Sequence, residues 1–252
     1  MSALGMLAHL LGWPLTGPHA LGFFLTPALC VYFVFVFVAP LTWGLPILTR
    51  LPSGRNTIAL TFDDGPSAET TPEILDVLCA EGVHATFFVL GEAVARHPAL
   101  TRQMLTDGHA VGIHGFHHAP FVLLSRRAIA REIAEARAAL HTACPDVAAI
   151  PWVRPPHGFK SLTLSRTLCR LGFGLAAWSV DSRDYRDTDP ERIAARVLGQ
   201  VRPGAIVLLH DGPANTATAA ALPLILRGLE ERGLEIERGL EAGRGSLGTI
   251  VP

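Results

Sequence analysis

From Thr57 onward the chain alternates short apolar runs with longer amphipathic stretches, and this alternation restricts the fold more than any other feature. The apolar runs lie at 57–62, 85–90, 109–113, 149–153, 175–180 and 205–209. Each has the length and the β-branched or aromatic content of a buried strand. Between them, helical periodicity covers about 71–82, 98–107, 125–143, 161–171, 190–200 and 217–232. Ser125 is a natural N-cap for the third of these helices, and Asp189-Pro190 gives the fifth a cap followed by proline in its first turn. Alternating strands and helices imply an α/β protein built on a parallel sheet, either open or closed as a barrel.

In such sheets the functional groups gather at the carboxyl ends of the strands. Here five runs lead directly into polar, chemically capable residues. Run 57–62 ends at Asp63-Asp64, inside Thr61-Phe62-Asp63-Asp64-Gly65-Pro66-Ser67, where Gly-Pro bends the chain away. Run 109–113 ends at His114-Gly115-Phe116-His117-His118, and run 149–153 at Arg154-Pro155-Pro156-His157-Gly158. Run 175–180 ends at Asp181, and run 205–209 at His210. Any one of these would pass as a polar turn. Five on one rim define a site.

Two adjacent carboxylates at the mouth of a sheet repel each other, and a bound cation is the usual compensation. His114 and His118 stand four apart, the spacing that brings two imidazoles to one side of a helical turn. His117, three from His114, is an alternative second imidazole. With one carboxylate of the Asp pair they make a His₂Asp set, and three protein ligands leave coordination positions open, as catalytic sites require. Imidazole with carboxylate suits Zn²⁺, with Co²⁺, Mn²⁺ and Fe²⁺ also compatible. The remaining groups fit metal-assisted hydrolysis of an acyl bond. The other Asp is placed to accept a proton, and His210, on a separate strand, to protonate a departing nitrogen. Arg154 is suited to hold a carboxylate, and Asp181 to hold His210 and raise its pKa. Trp178 is read as core or pocket wall, and Asp211 as a weaker candidate than Asp181 for a contact near His210.

The N-terminal segment is of another kind. Ser2 to Thr49 contains no Lys, Arg, Asp or Glu, and 21–38 is continuous apolar sequence, close to the roughly 20 residues that a bilayer core demands. It lacks the positive opening and small-residue cleavage site of a signal peptide. The expectation is a membrane anchor over 1–50, with one span at about 21–38 or a hairpin turning at Thr16-Gly17-Pro18. The first cations, Arg50 and Arg55, follow the span, which by the positive-inside tendency leaves the next domain cytoplasmic. Residues 51–55 read as a linker and 239–252, rich in glycine, as a fraying tail. The net charge of −1 provides no electrostatic basis for binding nucleic acid. The four Cys lack C-x-x-C spacing, so neither a zinc knuckle nor a disulfide framework is indicated.

The segments TFDDGPS (61–67), HGFHH (114–118), RPPHG (154–158), DSRDY (181–185) and LLH (208–210) occur in this order. Together they resemble the five motifs of the polysaccharide deacetylases, the NodB-homology or carbohydrate esterase family 4 enzymes, over about residues 56–238. The resemblance implies a distorted (β/α) barrel with fewer than eight repeats. It also implies divalent-metal-dependent removal of N-acetyl groups from N-acetylhexosamine units. Transferred position by position, it makes Asp63 the general base, with Asp64, His114 and His118 as metal ligands. Arg154 then orients Asp63, His210 is the general acid tuned by Asp181, and the backbone N–H of His157 helps to stabilise the oxyanion. Three positions depart from the usual pattern. Gly115 stands where Ser or Thr is usual, His157 where an aromatic residue is common, and Tyr185 where Trp is frequent and would line the acetyl or sugar pocket. None removes a group that the chemistry needs.

The expectation is therefore a membrane-anchored hydrolase of linear amides in the bacterial inner membrane. It acts on an amino-sugar glycan, peptidoglycan or a lipid-linked saccharide, with membrane lipid as a second partner. Deformylation of a lipid-linked N-formyl sugar is the alternative chemistry. A catalytically inactive, membrane-anchored sugar-binding module is the alternative class.

Overall fold

The computed structural model describes residues 47–52, 56–147 and 150–240. Eight strands share one sheet: β1 (Ile47–Leu48), β2 (Thr57–Asp63), β3 (Thr86–Val89), β4 (Ala110–Ile113), β5 (Trp152–Val153), β6 (Gly174–Ala176), β7 (Val180–Asp181) and β8 (Ile206–His210). Their order is β1-β6-β5-β4-β3-β2-β8-β7, and every pair is parallel. A ninth, β9 (Glu235–Ile236), pairs with the start of β2.

The helices are α1 (Thr71–Ala80), α2 (Gly91–Arg96), α3 (Pro98–Thr106), α4 (Arg126–Ala143), α5 (Leu162–Leu171), α6 (Pro190–Gln200) and α7 (Ala217–Glu230). Their starts follow from local chemistry. Ser125 Oγ accepts from Ala128 N–H, Ser161 Oγ from Leu164 N–H, and Asp189 from the N–H groups of Glu191 and Arg192. Helix α5 stops at Gly172, whose φ of 77° suits glycine. Helix α2 is not apparent from periodicity. Its first residue must be small, because a Cβ on Gly91 would lie 2.7 Å from the backbone of Ala136 on α4.

Strand β2 is the axis of the core. All seven of its residues are buried, and Phe62 stacks on Phe87 of β3 at 5.0 Å. Each fully buried Phe, Ile or Leu contributes about 1.5–3 kcal/mol, which makes this layer a major stabilising element. The sheet curls. Strands β6 and β7 lie toward opposite ends of the hydrogen-bonded order, yet only Ala177, Trp178 and Ser179 separate them. Three extended residues reach roughly 10 Å. The link spans the seam, with Ala177 N–H donating to Leu48 of β1 and Ser179 N–H to Ile206 of β8. The outcome is an incomplete (β/α) barrel.

Several expectations need correction. The run 175–180 is not one strand but two, because its middle turns across the seam. Among the described residues, pairing in the sheet already includes Ile47, inside the segment expected to be anchor, and Leu51 of the expected linker donates to Gly204. At the other end, Gly239 and Leu240 do not fray. The Trp152 indole donates to the carbonyl of Leu240, whose own N–H donates to Thr86 Oγ1. The apolar stretch 21–38 lies outside the described residues. Among the described residues, no helix is long and apolar enough to cross a membrane.

Candidate active site

Strand register brings the chemistry together. Asp63, the last residue of β2, is the Cα partner of His210, the last residue of β8. Ile113 of β4 pairs with Val153 of β5, which sets His114 and Arg154 side by side one residue further on. Past Asp63 the chain turns sharply, with Asp64 in the left-handed region at φ 79°. The turn is braced by Asp211. Its carboxylate accepts from Gly65 N–H (3.0 Å) and Thr71 Oγ1–H (2.7 Å), and its own N–H donates to the Asp63 carbonyl. A Cβ on Gly65 would lie 1.9 Å from that carboxylate, so only glycine fits. Burial pushes the Asp211 carboxyl up to about 7. Asp211 thus contacts the Asp63–Ser67 turn, while its neighbour His210 is held elsewhere.

Asp64, His114 and His118 offer ligand atoms that all lie within 4.8 Å of one another. Asp64 Oδ1 is 3.3 Å from His114 Nε2 and 3.2 Å from His118 Nε2. His114 Nδ1 is 2.8 Å from the Arg154 carbonyl, which can only accept; Nδ1 therefore carries the hydrogen and Nε2 presents its lone pair. Asp64 Oδ1 is buried and takes no hydrogen bond, the condition of an oxygen awaiting a cation. Burial alone would raise the Asp64 pKa, but the two imidazoles hold it well below the usual carboxylate range. The donor set fits a divalent ion.

The two imidazoles do not converge through a helical turn, as the spacing suggested. Residues 114–118 form a loop with Gly115 at φ 93° and His118 at φ 57°. Glu132, buried on α4, fixes that loop. Its Oε2 accepts from the N–H groups of Phe116 and His117, and its Oε1 lies 2.9 Å from His117 Nδ1. His117 is thereby turned to Glu132, and His118 is the second imidazole near Asp64.

On one side of this trio stands Asp63, 3.8 Å from His114 Nε2 and 2.7 Å from Arg154 Nη1. Arg154 is fully buried beneath the site. Its Nη1 also donates to Thr61 Oγ1 and its Nη2 to the Ala177 carbonyl, and its guanidinium lies 4.1 Å from the Phe88 ring centroid. On the other side stands His210, and here the expectation for Asp181 fails. The carboxylate on His210 is Asp184, with Oδ1 2.7 Å from Nδ1 and Oδ2 accepting the His210 backbone N–H at 2.8 Å. Ser182 and Thr218 hydroxyls donate to the same carboxylate. Asp181 instead accepts from Arg183 N–H and, at 3.4 Å, from the Tyr185 hydroxyl. The cause is the turn after β7. Arg183 is left-handed at φ 56°, and the turn directs Asp184 rather than Asp181 at β8. Burial opposes a charge on His210, but Asp184, and then Asp63 and Asp64, outweigh it and raise His210 to about 9.

These groups open into a cavity of about 330 Å³ whose walls include Trp178, Leu208, His157 and Tyr185. His157 sits at φ 61°, its ring 4.6 Å from that of His118. Tyr185 is exposed, with its ring 5.3 Å from that of His210. Gly158 sets the Trp178 wall, since a Cβ there would lie 2.3 Å from the indole and φ is 70°. Gly158→Ala is expected to displace the indole and lower kcat/KM about a hundredfold, and to lower the melting temperature as well, because alanine is strained at that φ. Steady-state amide hydrolysis checks this, and a rate near wild type would mean that the indole position is immaterial.

Of the residues singled out from the sequence, Asp63, Asp64, His114, His118, Arg154, His157, Trp178, Tyr185 and His210 converge here. Asp181 lines the cavity in a different role. Missed were Asp184, Glu132 and the bracing function of Asp211. Glu132 had a readable signal, because a carboxylate there interrupts the buried stripe Ile129, Ile133, Ala136, Leu140.

A parallel barrel rim carrying a three-ligand cation site between a buried acid and a protonated imidazole defines a metal-assisted hydrolase. Residues 50–176 match the family model described as Polysaccharide deacetylase. A chitooligosaccharide deacetylase of Sinorhizobium fredii is 39% identical over 203 residues, spanning 76% of this chain and 94% of that protein. The peptidoglycan-N-acetylglucosamine deacetylase PgdA of Listeria monocytogenes is 36% identical over 71% of this chain but only 37% of its own length. The solved structure of the Bc1960 peptidoglycan N-acetylglucosamine deacetylase superposes with a TM-score of 0.75 at 28% identity, covering 80% of this chain and 95% of that one. The chain belongs to the polysaccharide deacetylase family, carbohydrate esterase family 4.

Proposed function

We propose that this protein is a metal-dependent N-deacetylase that removes acetyl groups from N-acetylhexosamine units of a glycan. The carrying observation is that Asp63 and His210 flank the Asp64–His114–His118 trio, each held by its own buried partner. A divalent ion held by the trio, with Zn²⁺ the first choice for two imidazoles and a carboxylate, would polarise the amide carbonyl and acidify a water. Asp63, oriented by Arg154, takes the proton from the attacking water. His210, charged below about pH 9, delivers a proton to the departing nitrogen. The His157 backbone N–H supports the developing oxyanion. Trp178 and Leu208 give an apolar wall suited to the methyl group of acetyl, which favours acetyl over formyl as the group removed. Both flanking groups and all three ligands are present, which favours an enzyme over an inactive binding module.

Similarity to chitooligosaccharide and peptidoglycan deacetylases supports an amino-sugar oligomer or polymer as the substrate class. The uncharged segment 2–49 supports attachment to a membrane. Full-length protein is expected to release acetate from chitooligosaccharides, to lose that activity on chelation, and to regain it with Zn²⁺, Co²⁺ or Mn²⁺. Acetate release that survives complete metal removal would overturn the proposal.

A further inference from the structure

One cation in the cavity is not used by the reaction. Arg186 is the only Lys or Arg side chain lining it among the described residues. It is exposed and forms no ion pair among them, although the surrounding loop is rich in acids. Each of those acids is engaged elsewhere. Asp184 holds His210, Asp187 is gripped by Arg192 and Arg196, and Asp189 caps α6 and pairs with Arg192. Asp181, which shares the cavity, is turned to Arg183 N–H and the Tyr185 hydroxyl. The loop is also fixed in place, with the N–H groups of Arg186 and Asp187 both donating to the Arg183 carbonyl. At the rim itself Asp63 is matched by Arg154, and Asp64 by the two imidazoles or an ion they would hold, while Asp181 takes only neutral donors and makes no ion pair with Arg186.

The position of the guanidinium is also defined. It lies 5.5 Å from the Tyr185 ring centroid, and that ring lies 5.3 Å from His210. A cation without an ion-pair partner and the proposed acid therefore both lie against the Tyr185 ring, within about 11 Å of each other. Arginine is the side chain best suited to grip a carboxylate or phosphate through paired N–H groups.

We propose that Arg186 reads an anionic group, a carboxylate or a phosphate, carried by the glycan beside the acetamide being cleaved. This rests on the deacetylase reading above and narrows its substrate class to acidic amino-sugar glycans. Because the guanidinium is solvent-exposed, the preference is modest, about five- to tenfold, and shrinks as salt is raised.

The test compares kcat/KM for acetate release from three probes: neutral chitotriose, a glucuronic acid–N-acetylglucosamine disaccharide, and N-acetylglucosamine 1-phosphate. The quantity read is the ratio of each anionic probe to chitotriose in wild type, Arg186→Ala and Arg186→Lys. The expected result is a five- to tenfold fall of at least one ratio in the Ala variant, with partial recovery in Lys, which keeps the charge without the fork. A fall confined to the uronic acid probe assigns a carboxylate, and one confined to the phosphate probe assigns a phosphate. If wild type hydrolyses chitotriose and neither ratio moves in Arg186→Ala, this inference is wrong and the deacetylase reading stands. If no probe releases acetate, both fall together.

Discussion

Asp63→Asn is expected to lower kcat about a thousandfold while the purified protein keeps its bound ion. Removing a positioned general base costs typically 10²–10⁴-fold, and Asn preserves the shape while losing the ability to accept the proton. The side chain is 2.7 Å from Arg154 Nη1 but is not among the three converging ligand atoms, so the cation site survives. Arg154 would then be a fully buried guanidinium without its carboxylate, a loss of about 3–5 kcal/mol by analogy with other broken buried pairs. A fall in melting temperature should therefore accompany the loss of rate. Metal analysis separates this variant from His118→Ala, which should lose ion and rate together. An Asp63→Asn protein that retains a rate within tenfold of wild type would remove Asp63 from the role of base.

Asp184→Asn should change the pH profile as well as the rate. The sign follows from His210, which must be protonated to act as an acid and is raised to about 9 chiefly by the Asp184 carboxylate acting against burial. Without that charge, its pKa falls to about 6.5 or below, and the alkaline limb of kcat moves down by about 2.5 units. At pH 8 the protonated fraction then drops about thirtyfold, whereas at pH 6 it changes by less than about twofold. Asp181→Asn should leave the alkaline limb where it was. The pair of profiles decides between the two acids, and a limb that moved with Asp181 instead would reverse the assignment. The raised pKa also links to folding. Protonated His210 stabilises the native state fully below about pH 6.5, and that contribution disappears as pH rises through about 9.

The rim was legible in the sequence because apolar runs end in titratable residues, such as Asp63 at the end of β2 and His210 at the end of β8. Which acid serves His210 was not legible. Asp181 and Asp184 are three residues apart, and the choice depends on a left-handed Arg183 and on the pairing of β7 with β8, both tertiary facts. The break at Ala177–Ser179 was hidden for a related reason. An apolar stretch crossing a seam has the same periodicity as one strand. Strand β1 is two residues long and carries no period at all, so the apolar segment before it absorbed it. Leu240 is held by the Trp152 indole and Thr86, contacts that glycine-rich composition cannot announce. The imidazole pair was found by its spacing, but the backbone that realises it is a loop pinned by Glu132 from a distant helix.

Arg154 has a double attachment with a consequence of its own. Its carbonyl fixes the tautomer of His114, and its guanidinium fixes Asp63, so one amino acid gauges the gap between the ion and the proton acceptor. Only the second of these contacts depends on which side chain stands at 154. Evolution or design can therefore retune the acceptor by substitution there without loosening the grip on His114, but cannot shift the backbone at 154 without moving both.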